Sequence, residues 1–272
     1  MQFLSIWCVG YALLGLVSGF LAGLLGIGGG LIIVAVLTMM FAAQGFDHAI
    51  ILPLALGTSM ATIVFTSISS MRAHHRHQAV RWDLVRDISP GVVVGAVFGT
   101  HIAAAMPARS LAIFFALFVV VIALQMGLNL KPKAQRELPG LIGRVGVGAI
   151  IGTVSALVAI GGGSLTVPWL TWCNVRIQNA IGTSAAMGLP IALAGTAGYL
   201  WNGWNQASLP AASLGYVYLP SLLWLLIASM LTAPLGARTA HRLPVAILKR
   251  IFSILLVILA AKMLWSVWQN TP

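Results

Sequence analysis

The fold predicted from the sequence is an all-α polytopic membrane protein made of two inverted-topology repeats. Each repeat is a Gly-broken hairpin followed by three transmembrane helices. Three observations predict this. The 272 residues are 60% hydrophobic and 7% charged, with a mean hydropathy of +1.00, and the apolar runs reach the roughly 20 residues that a helix needs to cross hydrocarbon. These runs are continuous rather than alternating, which excludes a transmembrane β-barrel. Finally, the Lys and Arg residues other than Lys262 fall between the runs or at their ends, and one Gly-rich stretch occurs twice.

The apolar segments are 4–26, 30–44, 50–71, 88–105, 110–130, 144–160, 164–174, 179–201, 212–235 and 246–267. Three of the intervening stretches are basic. Residues 72–86 hold Arg72, Arg76, Arg81 and Arg86 with His74, His75 and His77, residues 131–144 hold Lys131, Lys133, Arg136 and Arg144, and residues 238–250 hold Arg238, Arg242, Lys249 and Arg250. The positive-inside rule puts these three in the cytoplasm. Stretches 45–49 and 202–211 have no Lys or Arg, and 106–109 has only Arg109; these belong outside. The formal charge of +11 is therefore topogenic, not a nucleic-acid footprint. Segment 50–71 then runs inward and its counterpart 179–201 outward, so the halves are antiparallel, with both termini on the periplasmic side of a bacterial inner (plasma) membrane. The domain reading is a first transmembrane repeat over 1–130, a cytoplasmic linker over 131–143 containing Pro139 and Gly140, and a second transmembrane repeat over 144–272.

The duplicated stretch is GLLGIGGGLIIVA at 23–35 and ALVAIGGGSLTVP at 156–168. With the glycine triplets superposed, Gly15 and Gly19 match Gly148 and Gly152. Gly57-Thr58-Ser59 reappears as Gly182-Thr183-Ser184, and Gly99 and Pro107 pair with Gly236 and Pro244. A glycine inside a helix costs about 1 kcal/mol relative to Ala, so three in succession mark a break. The second half starts inside at Arg144 and is inside again near Arg176, so 144–160 and 164–174 must enter and return. Eleven residues of helix span about 17 Å against a core of about 30 Å, which favours a re-entrant hairpin. The legs of the first hairpin are longer, and two full spans stay open there.

Broken helices at membrane depth are tolerated only beside protein or a watery cavity, and inverted repeats built this way are common in secondary transporters. A helix that starts just past such a break aims free N–H groups and a positive dipole end at the tip, which suits an anion. The candidate substrate-binding residues are Gly28, Gly29, Gly30, Thr58, Ser59, Gly161, Gly162, Gly163, Ser164, Thr183 and Ser184, with Thr166 a further neutral donor. The competing reading is close helix packing by small residues. All four acids, Asp47, Asp83, Asp87 and Glu137, map to loops or helix ends. Intramembrane carboxylates mark proton relays and cation pathways, so their lack also points to an anion. His74, His75 and His77 lack metal-ligand spacing; no metal and no cofactor are expected. Cys8 and Cys173 read as packing residues. Trp201, Trp204, Trp265 and Trp268 read as an outer interfacial belt. No nucleophile–base pair and no P-loop is present, so an enzyme is not expected.

These residues resemble the sulfite exporter TauE/SafE family, whose hallmark is a duplicated GIGGG turn followed by VP, with a GTS-type stretch in each half. Here the copies are Gly26-Ile27-Gly28-Gly29-Gly30 and Ile160-Gly161-Gly162-Gly163 with Val167-Pro168; the AHHR stretch at Ala73–Arg76 and the GYVYLP stretch at Gly215–Pro220 extend the similarity. The resemblance implies a secondary transporter that exports a small sulfur-containing anion, sulfite or an organosulfonate such as sulfoacetate, by alternating access. An importer or channel for a small anion, or a non-transporting membrane assembly factor, is the alternative. The expected partners are that anion and the lipid bilayer, with a second copy in a homodimer as a further candidate and no nucleic acid. The first copy has Val34-Ala35 where the proline is expected, and the second has Ala159 where a glycine is common. The two hairpins are therefore expected to differ in how sharply they break.

Overall fold

A computed structural model of the chain describes residues 2–25, 29–128, 136–240 and 245–269. Gly28, Lys131, Lys133, His241, Arg242 and Pro244 lie outside the described residues, as does most of the first part of the linker. In chain order the elements are α1 (Gln2–Leu25), α2 (Gly30–Ala43), α3 (His48–Arg76), α4 (Trp82–Ala105), α5 (Ala108–Gly127), α6 (Leu141–Val158), α7 (Gly163–Trp172), α8 (Ile177–Gly203), β1 (Ser213–Leu214), β2 (Val217–Tyr218), α9 (Leu219–Ala240) and α10 (Val245–Gln269). Among the described residues, seven helices are long and apolar enough to cross a membrane. The protein is an all-α polytopic membrane protein.

Helices α2 and α7 are different. They have 14 and 10 residues, about 21 and 15 Å of helix, well short of the hydrocarbon core. Each starts from a glycine in the left-handed conformation, Gly29 at φ 62° and Gly162 at φ 81°. Without a Cβ, glycine enters that region freely. The two helices thus start from glycines of the same left-handed conformation. Pro168 lies inside α7, well past the turn, where it removes one helical donor and leaves the tip alone.

Three boundaries depart from the sequence reading. Helix α3 runs on to Arg76 and α4 starts at Trp82, so the basic stretch 72–86 is mostly helical. Its link is residues 77–81. Asp47 caps the other end of α3 by accepting the Ala49 amide at 2.9 Å. Helix α6 starts at Leu141, capped by Gly140. The segment placed at 212–235 begins as a β-hairpin, with Ser213 paired to Tyr218 and Leu214 to Val217. The hairpin turns through Gly215 at φ 52°, and the helix forms only from Leu219.

Small residues set the helix pairing. Helix α1 lies along α9, and α4 along α6. A Cβ on Gly15 would stand 2.7 Å from Ala228 Cβ and 2.9 Å from the Leu225 carbonyl oxygen, and one on Gly19 would stand 2.5 Å from Ser229 Cα. Their repeat mates do the same. A Cβ on Gly148 would stand 2.6 Å from the Ile88 carbonyl oxygen, and one on Gly152 would overlap that of Val92. Ile88 and Val92 map to Leu225 and Ser229 at the offset relating Gly99 to Gly236, so one backbone-to-backbone seam occurs twice. In membranes, where lipid tails are as apolar as the side chains, such close approach supplies much of the attraction. An ion pair at 2.6 Å between Arg144 and Asp87 closes one end of the α4–α6 seam. The centre is held by α3 and α8, whose spans are 78% and 61% buried, against 28% for α1 and α9.

Candidate functional site

The two glycine breaks meet. A Cβ on Gly30, the first residue of α2, would overlap the carbonyl oxygen of Ala159, which ends α6 just before the second triplet. Ala159 itself is left-handed, at φ 49°. Helix α3 lies across both tips. The Ser59 hydroxyl donates to the Gly30 carbonyl at 3.3 Å, and Ile63 touches both sides, 2.9 Å from a Gly30 Cβ position and 3.3 Å from that of Gly161. Helix α8 backs the second tip. A Cβ on Gly188 would stand 2.9 Å from the Gly161 carbonyl oxygen, and one on Gly162 would stand 2.6 Å from Ile191 Cδ1. The Tyr199 hydroxyl, fully buried on α8, donates to the Ala156 carbonyl at 2.9 Å. This pins the end of α6 against α8. Gly29, Gly30, Gly162 and Gly163 are buried, and Gly161 is half-buried. As the first residues of α7, Gly163 and Ser164 carry amides that no carbonyl within the helix can take.

The duplicated Gly-Thr-Ser stretches do matching work. A Cβ on Gly57 would overlap the Tyr216 carbonyl oxygen, and the Thr58 hydroxyl accepts the Tyr218 amide at 3.0 Å while donating to Leu54 at 2.7 Å. A Cβ on Gly182 would stand 2.5 Å from the Ala79 carbonyl oxygen, and the Thr183 hydroxyl accepts the Arg81 amide at 3.0 Å. Each central helix thus straps down one connecting segment, the β-hairpin for α3 and the α3–α4 link for α8. Around the β-hairpin strap, Tyr218 stacks edge-on against Tyr11, Phe41 and Phe46. The third residues diverge: Ser59 is bonded to Gly30, whereas Ser184 is buried with no partner. Thr58→Val or Thr183→Val leaves a backbone amide without its acceptor, at a cost of about 1–3 kcal/mol. Each should lower the melting temperature in detergent by several degrees, and Thr58→Ser should restore most of it.

Ser155, Ser164, Thr166 and Ser184 are buried hydroxyls without a hydrogen-bond partner. Ser164 and Thr166 sit in the first turn of α7. Ser155 stands at the end of α6, where its carbonyl takes the Ile160 amide at 3.0 Å. Ser184 is one turn before Gly188 on α8, on the same helical face. Two further partnerless hydroxyls, Thr196 and Ser213, lie farther along α8 and in the β-hairpin. A buried polar group without a partner is costly, so these four hydroxyls leave hydrogen-bonding capacity unused near the second break. Of the sequence candidates, the structure brings Gly30, Ser59, Gly161, Gly162, Gly163, Ser164 and Ser184 to the junction of the breaks, and it puts Gly29 at the head of α2. It gives Thr58 and Thr183 to the straps. Ser155 went unread because a lone serine in an apolar run looks like helix packing.

The model for the sulfite exporter TauE/SafE family matches residues 11–263. A probable membrane transporter protein of Haemophilus influenzae is 36% identical over 256 residues, covering 92% of this chain and 96% of that protein. The probable membrane transporter protein YdhB of Bacillus subtilis is 27% identical, covering 85% of this chain and 89% of its own length. A probable membrane transporter protein of Methanocaldococcus jannaschii is 24% identical, covering 85% of each. No solved structure matches the chain. With residues 11–263 of its 272 inside the family match, the chain belongs to the TauE/SafE sulfite exporter family of membrane transporters.

Proposed function

We propose that the protein is a secondary exporter of a small sulfur-containing anion, sulfite or a simple organosulfonate, that works by alternating access in the bacterial inner membrane. The observation that carries this reading is the meeting of two left-handed glycine breaks at a buried point, with unpartnered hydroxyls on the helices of the second break. Helix-start amides and neutral O–H donors stabilise negative charge without a fixed cation. The two halves act as inverted repeats, with α1–α9 and α4–α6 as equivalent seams, and both termini face the periplasm. Rocking one repeat against the other would expose the junction first to one side and then to the other. The two straps, at Tyr216–Tyr218 and Ala79–Arg81, are the contacts that such a motion would make and break in turn.

The test is flux in both directions. Purified protein in liposomes should move radiolabelled sulfite against its gradient when a proton gradient is imposed, and only slowly without one. Flux that follows the anion gradient regardless of proton gradient would identify a channel. Coupled movement solely into the cytoplasm-equivalent compartment would identify an importer. Absence of any sulfite or sulfonate movement would favour an assembly role.

A further inference from the structure

Among the described residues, the partnerless buried hydroxyls belong to one half of the molecule. Ser155, Ser164 and Thr166 flank the second break, and Ser184 faces it from α8. At the equivalent positions of the first half stand Ala22, Leu31 and Ile33, which can donate nothing, and Ser59, whose proton is already taken by the Gly30 carbonyl. Many other buried or half-buried hydroxyls bond back to their own helix, although Thr196 and Ser213 do not. Thr58 donates to Leu54 at 2.7 Å, Thr62 to Thr58 at 2.9 Å, Thr171 to Val167 at 2.8 Å and Ser253 to Arg250 at 2.8 Å. Such back-bonding is the ordinary fate of a serine or threonine in a membrane helix. Around the second break it does not occur, although Ser155, Thr166 and Ser184 are each at most 1% exposed and Ser164 is 8% exposed.

The surroundings are also uncharged. Helices α2, α7 and α8 contain no Lys, Arg, Asp or Glu. On α6 the only charge is Arg144 in the first turn, paired with Asp87. On α3 the arginines are Arg72 and Arg76, with Arg72 nine residues, about 14 Å of helix, beyond Ile63. An anion entering this site loses its water and meets only neutral donors. The desolvation penalty of an ion grows as the square of its charge, and among the described residues of these helices no cation is there to offset it.

We infer that the anion is held at the second break, by the second hairpin together with α8, through the hydroxyls of Ser155, Ser164, Thr166 and Ser184, and that this donor set selects singly charged oxyanions and sulfonates over dianions. The first hairpin is its apolar counterpart, a wedge whose backbone at Gly30 bears on Ala159. The inference rests on the transport reading above and adds its recognition chemistry. Hydrogensulfite and simple sulfonates fit, while sulfate, the sulfite dianion and the doubly charged sulfoacetate do not.

The test is radiolabelled sulfite uptake by the full-length protein in liposomes, measured against concentration and pH. Ser155→Ala, Ser164→Ala, Thr166→Val and Ser184→Ala should each raise the half-saturating concentration about tenfold, the loss of one hydrogen bond to a charged acceptor. Thr166→Ser should restore wild-type behaviour, which separates a lost donor from a damaged fold. Ile33→Val, the first-half control, should stay within about twofold. Methanesulfonate should compete and sulfate should not, and uptake should fall as pH rises through neutrality, where sulfite loses its second proton. Wild-type half-saturation in the four hydroxyl variants, or sulfate competing as well as methanesulfonate, would overturn the inference and leave transport intact. No sulfite movement by the wild type would overturn the transport reading, and this inference with it.

Discussion

Gly30→Ala should yield little or no folded protein. The added methyl would overlap the Ala159 carbonyl oxygen and stand 2.9 Å from Ile63 Cδ1 and 3.2 Å from the Ser59 hydroxyl. Ile63 can turn aside, because the crowded atom is the end of a flexible side chain. The carbonyl cannot, since it belongs to a left-handed residue that closes α6. Relief requires the two breaks to separate, at an expected cost of at least about 3 kcal/mol, a large part of a normal stability. Size-exclusion profiles and thermal melts in detergent would read this directly. Gly140→Ala is the matched control, because nothing lies within 4 Å of its Cβ position.

The second large effect should come from the α4–α6 seam. A Cβ on Gly95 would overlap the Ala149 carbonyl oxygen and lie 2.7 and 2.8 Å from Ala149 C and Cα. All three are backbone atoms, so Gly95→Ala must push the helices apart along their length. That separation also strains the hydrogen bond from Thr153 to the Gly95 carbonyl at 3.0 Å and the Arg144–Asp87 pair. The expected loss is again about 3 kcal/mol or more, seen as aggregation or a melting temperature lower by ten degrees or so. Gly146→Ala, on the same α6 helix with nothing within 4 Å of its Cβ position, should leave the melt unchanged.

Much of the fold was readable because it follows from local chemistry. Apolar run length gave the spanning helices, and the glycine triplets gave the two breaks. The seam glycines 15, 19, 148 and 152 were visible as matched pairs before their partners were known. What could not be read depends on residues far apart in the chain. Thr58 bonds an amide 160 positions later, and Thr183 one 102 positions earlier. Nothing local distinguishes such a strap from a ligand contact, so both threonines read as donors to a substrate. The β-hairpin at 213–218 was hidden for another reason. Its Tyr, Val and Leu residues continue the hydropathy of α9, and only Gly215 marks the turn. Both second legs start from a left-handed glycine, several residues before the position where Pro168 and Ala35 differ.

The site was half legible. The serines beside the second triplet and in the second Gly-Thr-Ser stretch stood out by position. Their significance came from the contrast with Ser59, which has the same place in the repeat but a backbone acceptor within reach. That contrast arises because Gly30 approaches α3 closely enough for its carbonyl to meet the hydroxyl.

The most direct test of an anion site at the second break is substrate protection of a cysteine placed there. In a background with Cys8 and Cys173 replaced by alanine, Ser164→Cys should react with a membrane-permeable alkylating reagent, and methanesulfonate should slow that reaction severalfold. Gly140→Cys should react at the same rate with and without the anion. Equal protection at both positions, or none at position 164 in protein that transports methanesulfonate, would contradict an anion site at the meeting of the two breaks.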